Sequence, residues 1–327
     1  FEGCVDSLFK AYEEMYSKLL AWHLERAEQP VRRGRRRELE TAAKEDARYL
    51  LPLATTGQLG MTINARSLEN TVRRLKANPL LEVRELGRLL EDEAIAVTPS
   101  LIRYTEPSRL ESCVDAECTC ADWGRTLEPG GVRLVSVTPD GDQLVAGMMC
   151  KLGVSDDPNS NEGSPVEEYF RGATAHDRAP RCFEFVDLVF ELVCSASCFA
   201  QLKRHRMASL LVGPYDPGLG IVIPPSIRDC GEAARFVRAT DDAEEKRRGV
   251  CSAGEAVVEY LLTNAHCRRV LVKMNLRELH HFSRLRMDGH AQWEIRELAG
   301  RMCLAAADKL PLSGRFLGGK DQFGESA

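Results

Sequence analysis

The chain has 327 residues, 44% of them hydrophobic and 28% charged, with 44 Lys and Arg against 49 Asp and Glu for a net charge of −5. That length fits one large domain or two to three ordinary ones, and this composition excludes wholesale disorder. The acidic balance argues against a nucleic-acid binder driven by global charge, no apolar run approaches the roughly 18 residues of a membrane helix, and the opening residues do not read as a signal peptide.

In chain order, Phe1–Ala27 carries Val5, Leu8, Phe9, Tyr12, Met15, Tyr16, Leu19 and Leu20 at helical spacing. Gln29–Arg37 holds five arginines around Gly34 and reads as a solvated basic loop. Lys44–Leu51 reads as a helix that stops at Pro52, followed by helices at Asn64–Arg74 and Leu81–Glu93. Residues 105–131, with Pro107, Pro129 and several glycines, read as a linker. Val132–Val137 is a strand candidate, Gly141–Met149 a short helix and Ser155–Ser164 a polar loop. Cys182–Val193 alternates like a strand, and Ser195–Ser209 reads as a helix. Ala253–Leu262, Leu276–Arg286 and Gln292–Leu310 complete the helices, and the mixture predicts an α+β fold.

Twelve cysteines without a leader read as free thiols in a reducing, cytoplasmic setting. Cys113, Cys118 and Cys120 lack a fourth ligand and C-x-x-C spacing, and His280-His281 point apart on a helix, so no metal site is expected.

Two segments repeat. Tyr49-Leu-Leu-Pro52, Ile63-Asn-Ala-Arg-Ser-Leu68 and Glu82-Val-Arg-Glu-Leu86 match Tyr260-Leu-Leu-Thr263, Met274-Asn-Leu-Arg-Glu-Leu279 and Glu294-Ile-Arg-Glu-Leu298, each 211 or 212 residues on. Nothing before the first segment corresponds to Val132–Met149, Arg181–Leu211 or the Pro-rich stretch 214–225. The expected organisation is therefore the C-terminal half of one module at 1–104, a linker at 105–131 and a complete module at 132–327.

Arg204-His205-Arg206 is a dense donor cluster. Three adjacent helical residues fan over about 200°, so they converge on one ligand only where a helix ends. Arg277, His281 and Arg284 lie at i, i+4 and i+7, on one helical face beside apolar Leu279, Phe282 and Leu285.

Together, Arg204-His-Arg-Met-Ala-Ser209, Ala47-Arg-Tyr-Leu-Leu-Pro52, Asn64-Ala-Arg-Ser-Leu68, Asn275-Leu-Arg-Glu-Leu279, Leu285-Arg286 and Ala291-Gln-Trp-Glu-Ile-Arg296 resemble the flavin-dependent thymidylate synthases. The resemblance covers nearly all of 132–327 and about 1–95. It implies an α+β fold with an antiparallel sheet flanked by helices. It also implies an FAD enzyme that reductively methylates dUMP, with methylene-tetrahydrofolate as carbon donor and NADPH as reductant. Cofactor contacts are implied at Arg204, His205, Arg206, Asn275, Arg277 and His281, and at their first-segment counterparts Asn64, Arg66 and Asn70. Nucleotide contacts are implied at Gln201, Ser209, Arg286 and Arg48. The family's sites lie between subunits, so the expectation is a homodimer forming a pseudo-tetramer, with composite sites between modules.

Two departures stand out. Where the family continues Phe-Asn-Glu-x-Ser-x-Arg-Tyr, this chain has Leu210 to Asp216, with Pro214 and Asp216 in place of the phosphate-holding Ser and Arg. The second-segment counterpart of Arg48 is Glu259. These departures favour two further readings: a flavoenzyme acting on another pyrimidine, including one in nucleic acid, for which the arginine run leaves room, and a non-catalytic assembly partner.

Overall fold

Four strands form one antiparallel sheet in the order β1–β2–β4–β3: β1 is Val132–Val137, β2 Asp187–Ser195, β3 Ser209–Tyr215 and β4 Cys267–Asn275. This is a computed structural model that describes residues 1–108, 127–153, 164–171, 174, 177–250 and 258–321. Alternation decides which side of the sheet is which. Leu188, Phe190 and Leu192 of β2 and Val270, Val272 and Met274 of β4 are buried on one face, with Phe190 opposite Val272 and Leu192 opposite Val270. On the other face Glu191 is buried and ion-paired to Arg133 of β1 and Arg269 of β4.

The helices are α1 Glu2–Arg26, α2 Arg33–Ala47, α3 Ala65–Ala77, α4 Leu81–Val97, α5 Gly141–Lys151, α6 Pro165–Arg171, α7 Ala196–Leu202, α8 Pro225–Asp229, α9 Ala233–Val250, α10 Leu276–Arg286 and α11 Trp293–Ala307. Leu279 and Phe282 of α10, with Ile295, Leu298 and Met302 of α11, cover the apolar face of the sheet and form the main core. A second core joins the halves of the chain: Met15 and Leu19 of α1 and Ala43 and Ala47 of α2 meet Val193, Phe236 and Cys267. The fold is α+β, as the sequence predicts.

Several expectations change. The run Arg33–Arg37 opens α2 rather than a loop, because Arg35 pairs with Glu38 and Arg36 with Glu40 one turn on. The helix expected over Ser195–Ser209 ends at Leu202; Ser195 caps its start by accepting from the Cys198 N–H at 3.0 Å, and Ser209 already belongs to β3. Of Cys182–Val193, only the stretch from Asp187 is strand; Arg181–Phe185 is a 3₁₀ turn. Strands β3 and β4 and helix α9 are elements that the sequence patterns do not announce. The helix expected at Ala253–Leu262 is described only from residue 258, where Glu259–Leu261 forms a 3₁₀ turn. Cys113, Cys118 and Cys120, and most of the expected linker, lie outside the described residues. The eight described cysteines are free, and no helix among the described residues is long and apolar enough to cross a membrane.

The two repeated segments meet. Leu53 N–H donates to Leu262 C=O at 2.8 Å and Asn264 N–H to Leu51 C=O at 2.9 Å; Ala54 N–H donates to Tyr260 C=O at 3.0 Å and Ala265 N–H to Tyr49 C=O at 2.9 Å. Shifted by 211 residues, the first bond of each pair becomes the second. The Tyr49 hydroxyl donates to Glu294 and the Tyr260 hydroxyl to Glu82, another reciprocal pair. Asn64 caps α3 by accepting from Ser67 N–H, as Asn275 caps α10 by accepting from Glu278 N–H, both at 2.9 Å. These contacts describe a local pseudo-twofold axis. The strand is not shared: residues 56–64, the counterparts of β4, form no named strand.

Candidate functional site

Because α7 stops at Leu202, the Arg-His-Arg sequence falls in the turn between α7 and β3, where neighbouring residues point in different directions. Arg204 and Arg206 are exposed, while His205 turns inward and is 6% exposed. The edge of its ring lies 4.8 Å from Phe282, centroid to centroid.

His205 is the hub of a polar chain. Arg286, at the end of α10, donates through Nε to His205 Nε2 at 2.9 Å. The same guanidinium donates to Gln201 Oε1 and to the Gln201 main-chain oxygen, each at 3.2 Å. On the other side, His205 Nδ1 lies 3.3 Å from Glu278 Oε1. A donor aimed at Nε2 requires a lone pair there, so the proton sits on Nδ1 and faces the Glu278 carboxylate. Burial, with Arg204 nearby, lowers the Arg286 pKa.

Beyond Glu278 opens a cavity of about 270 Å³ lined by Arg178, Ala179, Glu184, Met207, Asn275, Arg277, Glu278, His280, His281 and Arg284. Helix α10 forms its floor: Arg277, His281 and Arg284 share the face that their spacing predicts. Arg277 is anchored by Nε to the Ala179 carbonyl at 2.8 Å and by a terminal nitrogen to Glu184 Oε1 at 2.6 Å. The bond from Arg277, with a second from Arg181, holds the Glu184 carboxyl below the usual range. Burial lowers the His281 and Arg284 pKa values, and burial beside Arg284 pushes His280 down to about 3. His280 stays neutral, stacked at 5.3 Å on Phe170. No group of side chains able to hold a metal ion occurs among the described residues. The wall thus sets Arg178, Arg277, Arg284 and His281 beside the carboxylates of Glu184 and Glu278, and its cationic donors suit an anionic or carbonyl-edged ring.

The structure therefore brings Gln201, His205 and Arg286 into one chain of contacts, and Asn275, Arg277 and His281 into the adjoining cavity. Ser209 is exposed at the start of β3, opposite Lys273 of β4. The first-segment candidates are elsewhere: Arg66 is exposed and paired with Glu69, Asn64 caps α3, Asn70 lies exposed on α3, and none of Arg48, Asn64, Arg66 and Asn70 lines the cavity. Asp216 stands at the far end of β3, where its carboxylate caps the Gly218 N–H at 2.8 Å. Seven residues of strand span roughly 23 Å, so its charge does not face the Arg-His-Arg turn. Glu278, Arg178 and Glu184 escape sequence reasoning. For Glu278 the signal present, Asn275-x-x-Glu278, reads as a helix capping box.

The profile of the thymidylate synthase complementing protein family matches residues 1–100 and 133–312. A UPF0159 protein of Thermoplasma acidophilum is 24% identical over 291 residues, covering 82% of this chain and 57% of that protein. A UPF0159 protein of Chlamydia muridarum is 26% identical over 277 residues, covering 77% of this chain and 52% of that protein. A flavin-dependent thymidylate synthase of Thermococcus onnurineus is 35% identical over 123 residues, 33% of this chain and 49% of that protein. The chain spans about half the length of these curated relatives. With a profile match running through both segments and across the Arg-His-Arg turn, the chain belongs to the thymidylate synthase complementing protein family.

Proposed function

We propose that this chain is an FAD-dependent enzyme of the thymidylate synthase type that reductively methylates a uracil nucleotide, dUMP. Methylene-tetrahydrofolate is the carbon donor and NADPH the reductant. One observation carries the reading. A single buried imidazole, His205, joins the pair Gln201–Arg286 to the donor-lined cavity through Glu278. A nucleotide at Arg286 and a flavin in the cavity would then lie on opposite sides of one side chain.

The residues fit a flavin. Asn275, Arg277 and His281 present donors from one end and one face of α10, and Arg178 and Arg284 add positive charge. When bound, FAD supplies the redox chemistry. The chain's own part is to bind and orient. Asn275, Arg277 and His281 would hold the ring and its polar edge, with Arg204, His205 and Arg206 closing over it. Gln201, Ser209 and Arg286 would hold the nucleotide. An arginine fork is matched to phosphate and to paired carbonyl acceptors. Arg48, Asn64, Arg66 and Asn70 reach a site only from another copy of the chain, which makes the active form a homodimer with composite sites.

The test is growth without thymidine in a strain deprived of its own thymidylate synthases. Growth is expected with this chain and lost with Arg286→Ala. Failure of the unaltered chain, expressed and soluble, contradicts the reading. One observation favours a second reading. Residues 209–215 are a paired strand, and Pro214 and Asp216 replace the Ser and Arg expected to hold a phosphate. A flavoenzyme acting on another pyrimidine, free or within nucleic acid, answers to that change.

A further inference from the structure

Glu278 occupies the third position of α10, after the N-cap Asn275. In a capping box its carboxylate would turn back to the helix start. Instead only half of that box is made. Asn275 Oδ1 accepts from Glu278 N–H at 2.9 Å, while the Glu278 carboxylate lies 3.3 Å from His205 Nδ1. Both side chains are buried, Glu278 at 8% and His205 at 6% exposed. Directing a carboxylate into a buried site costs desolvation unless it finds a partner there. Here the partner is the imidazole.

The consequence runs through the ring. An imidazole that donates from Nδ1 to a carboxylate keeps its lone pair on Nε2. That lone pair receives Arg286 Nε at 2.9 Å, and Gln201 takes one bond from each terminal nitrogen at 3.2 Å. Of five guanidinium N–H groups, three are spent on this clamp. One on each terminal nitrogen is left for a ligand. With the other tautomer, Nε2–H would face the Nε–H of Arg286, donor against donor, and the clamp would open.

We propose that Glu278 is the positioning residue of this site: it fixes the Nδ1–H tautomer of His205 and thereby sets the orientation in which Arg286 meets an acceptor-rich ligand. In the first segment the corresponding residue is Ser67, the counterpart of His205 is absent and Leu75 stands where Arg286 would be, so the device belongs to the second segment alone. The link to nucleotide binding rests on the function proposed above; the tautomer assignment does not.

The experiment uses the full chain with ¹⁵N-labelled histidine, His205→Gln serving to assign the signal, and reads the two ring nitrogens without ligand. Protonated Nδ1 and unprotonated Nε2 are expected. The reverse pattern in the unaltered chain overturns the proposal before any variant is made. Glu278→Gln retains an acceptor oxygen and is expected to keep the tautomer. Glu278→Leu is expected to lose it, and Arg286→Leu to leave it unchanged. A Glu278→Leu protein that keeps the Nδ1–H signal contradicts the role given to Glu278. Binding of dUMP, by titration calorimetry, is expected to weaken at least tenfold in Glu278→Leu and less than threefold in Glu278→Gln. Should the unaltered chain bind no dUMP, the nucleotide reading fails, and the tautomer still decides the proposal. Equal dUMP affinity in all three proteins overturns it.

Discussion

His280 illustrates how one residue type serves two ends on one helix. It lies at the cavity wall but is wholly enclosed, stacked on Phe170 and edge-on to Phe183. Burial and Arg284 depress its pKa from 6.5 to about 3. The folded protein therefore holds it neutral while the unfolded chain takes up a proton as the pH falls below about 6.5. The stability it contributes is complete above that value and is lost progressively as the pH falls toward 3. His280→Phe keeps the stacking and removes the titration. Between pH 7 and pH 5 the unaltered protein is expected to lose about 2 kcal/mol more than the variant, at about 1.4 kcal/mol per pH unit once the unfolded histidine is charged. Urea unfolding of both proteins at the two pH values measures this, and equal losses would contradict it. The neighbouring His281, on the open side, is the one placed to meet a ligand. Their adjacency in sequence excluded a shared metal but did not tell which faced inward, because that depends on how α10 lies on the sheet.

At the scale of elements, the repeated segments show how much of the fold is legible in residue patterns alone. Asn64 and Asn275 both prove to be N-caps, and α3 and α10 begin 211 residues apart. Arg277, His281 and Arg284 are legible from spacing, because the helical period is local physics. The strands are less legible. In Cys267–Asn275 the basic pair Arg268-Arg269 masks the alternation, since Arg268 stacks 4.1 Å over the Tyr215 ring and Arg269 pairs with buried Glu191 across the sheet. Those partners are distant in sequence. Helix α7 is shorter than its sequence suggests: Gln201 to Ser209 holds no strong breaker to announce the end, and the turn is imposed by the burial of His205 and the pairing of β3.

The pseudo-twofold contacts are reciprocal in backbone but unequal in burial. Tyr49 is buried; its hydroxyl donates to Glu294 at 2.5 Å and accepts from Gln292 Nε2 at 2.7 Å. Ser195 completes the network, its hydroxyl donating to Glu294 at 2.5 Å and its N–H at 3.0 Å. Burial pushes the Glu294 carboxyl up, and burial beside Glu294 holds the Tyr49 hydroxyl protonated as a donor. Tyr260 makes the matching bond to exposed Glu82. Tyr49→Phe leaves two buried groups short of a partner and is expected to cost about 1–3 kcal/mol. Tyr260→Phe is expected to cost less than about 1 kcal/mol, since water replaces the lost partner. Chemical denaturation of both variants checks the ratio; equal costs would show that the two contacts are energetically alike.

For the whole molecule, the main asymmetry is between a second segment whose helices cover a sheet and a first segment whose helices cover none among the described residues. Leu298 of α11 is 1% exposed, whereas its counterpart Leu86 of α4 is 49% exposed. The site follows the same division. The second module gathers Gln201, His205, Glu278 and Arg286 into one chain of contacts beside the cavity, while in the first segment exposed Ser67 stands at the Glu278 position and half-buried Leu75 at that of Arg286. This is why Asn64, Arg66 and Asn70, equally legible as motifs, are not brought to the cavity within one chain. A motif records descent; the cavity needs the sheet, the Arg-His-Arg turn and α10 together.

The central claim is that the cavity on α10 is a flavin site. The most direct measurement is a titration of the purified chain with FAD, followed by the absorption and fluorescence of the bound ring and repeated with Arg277→Ala. The account predicts saturable binding with a shifted flavin spectrum, weakened at least tenfold in the variant, as expected for removal of a charged donor. Absence of binding by the unaltered, folded chain, or undiminished binding by Arg277→Ala, would contradict it.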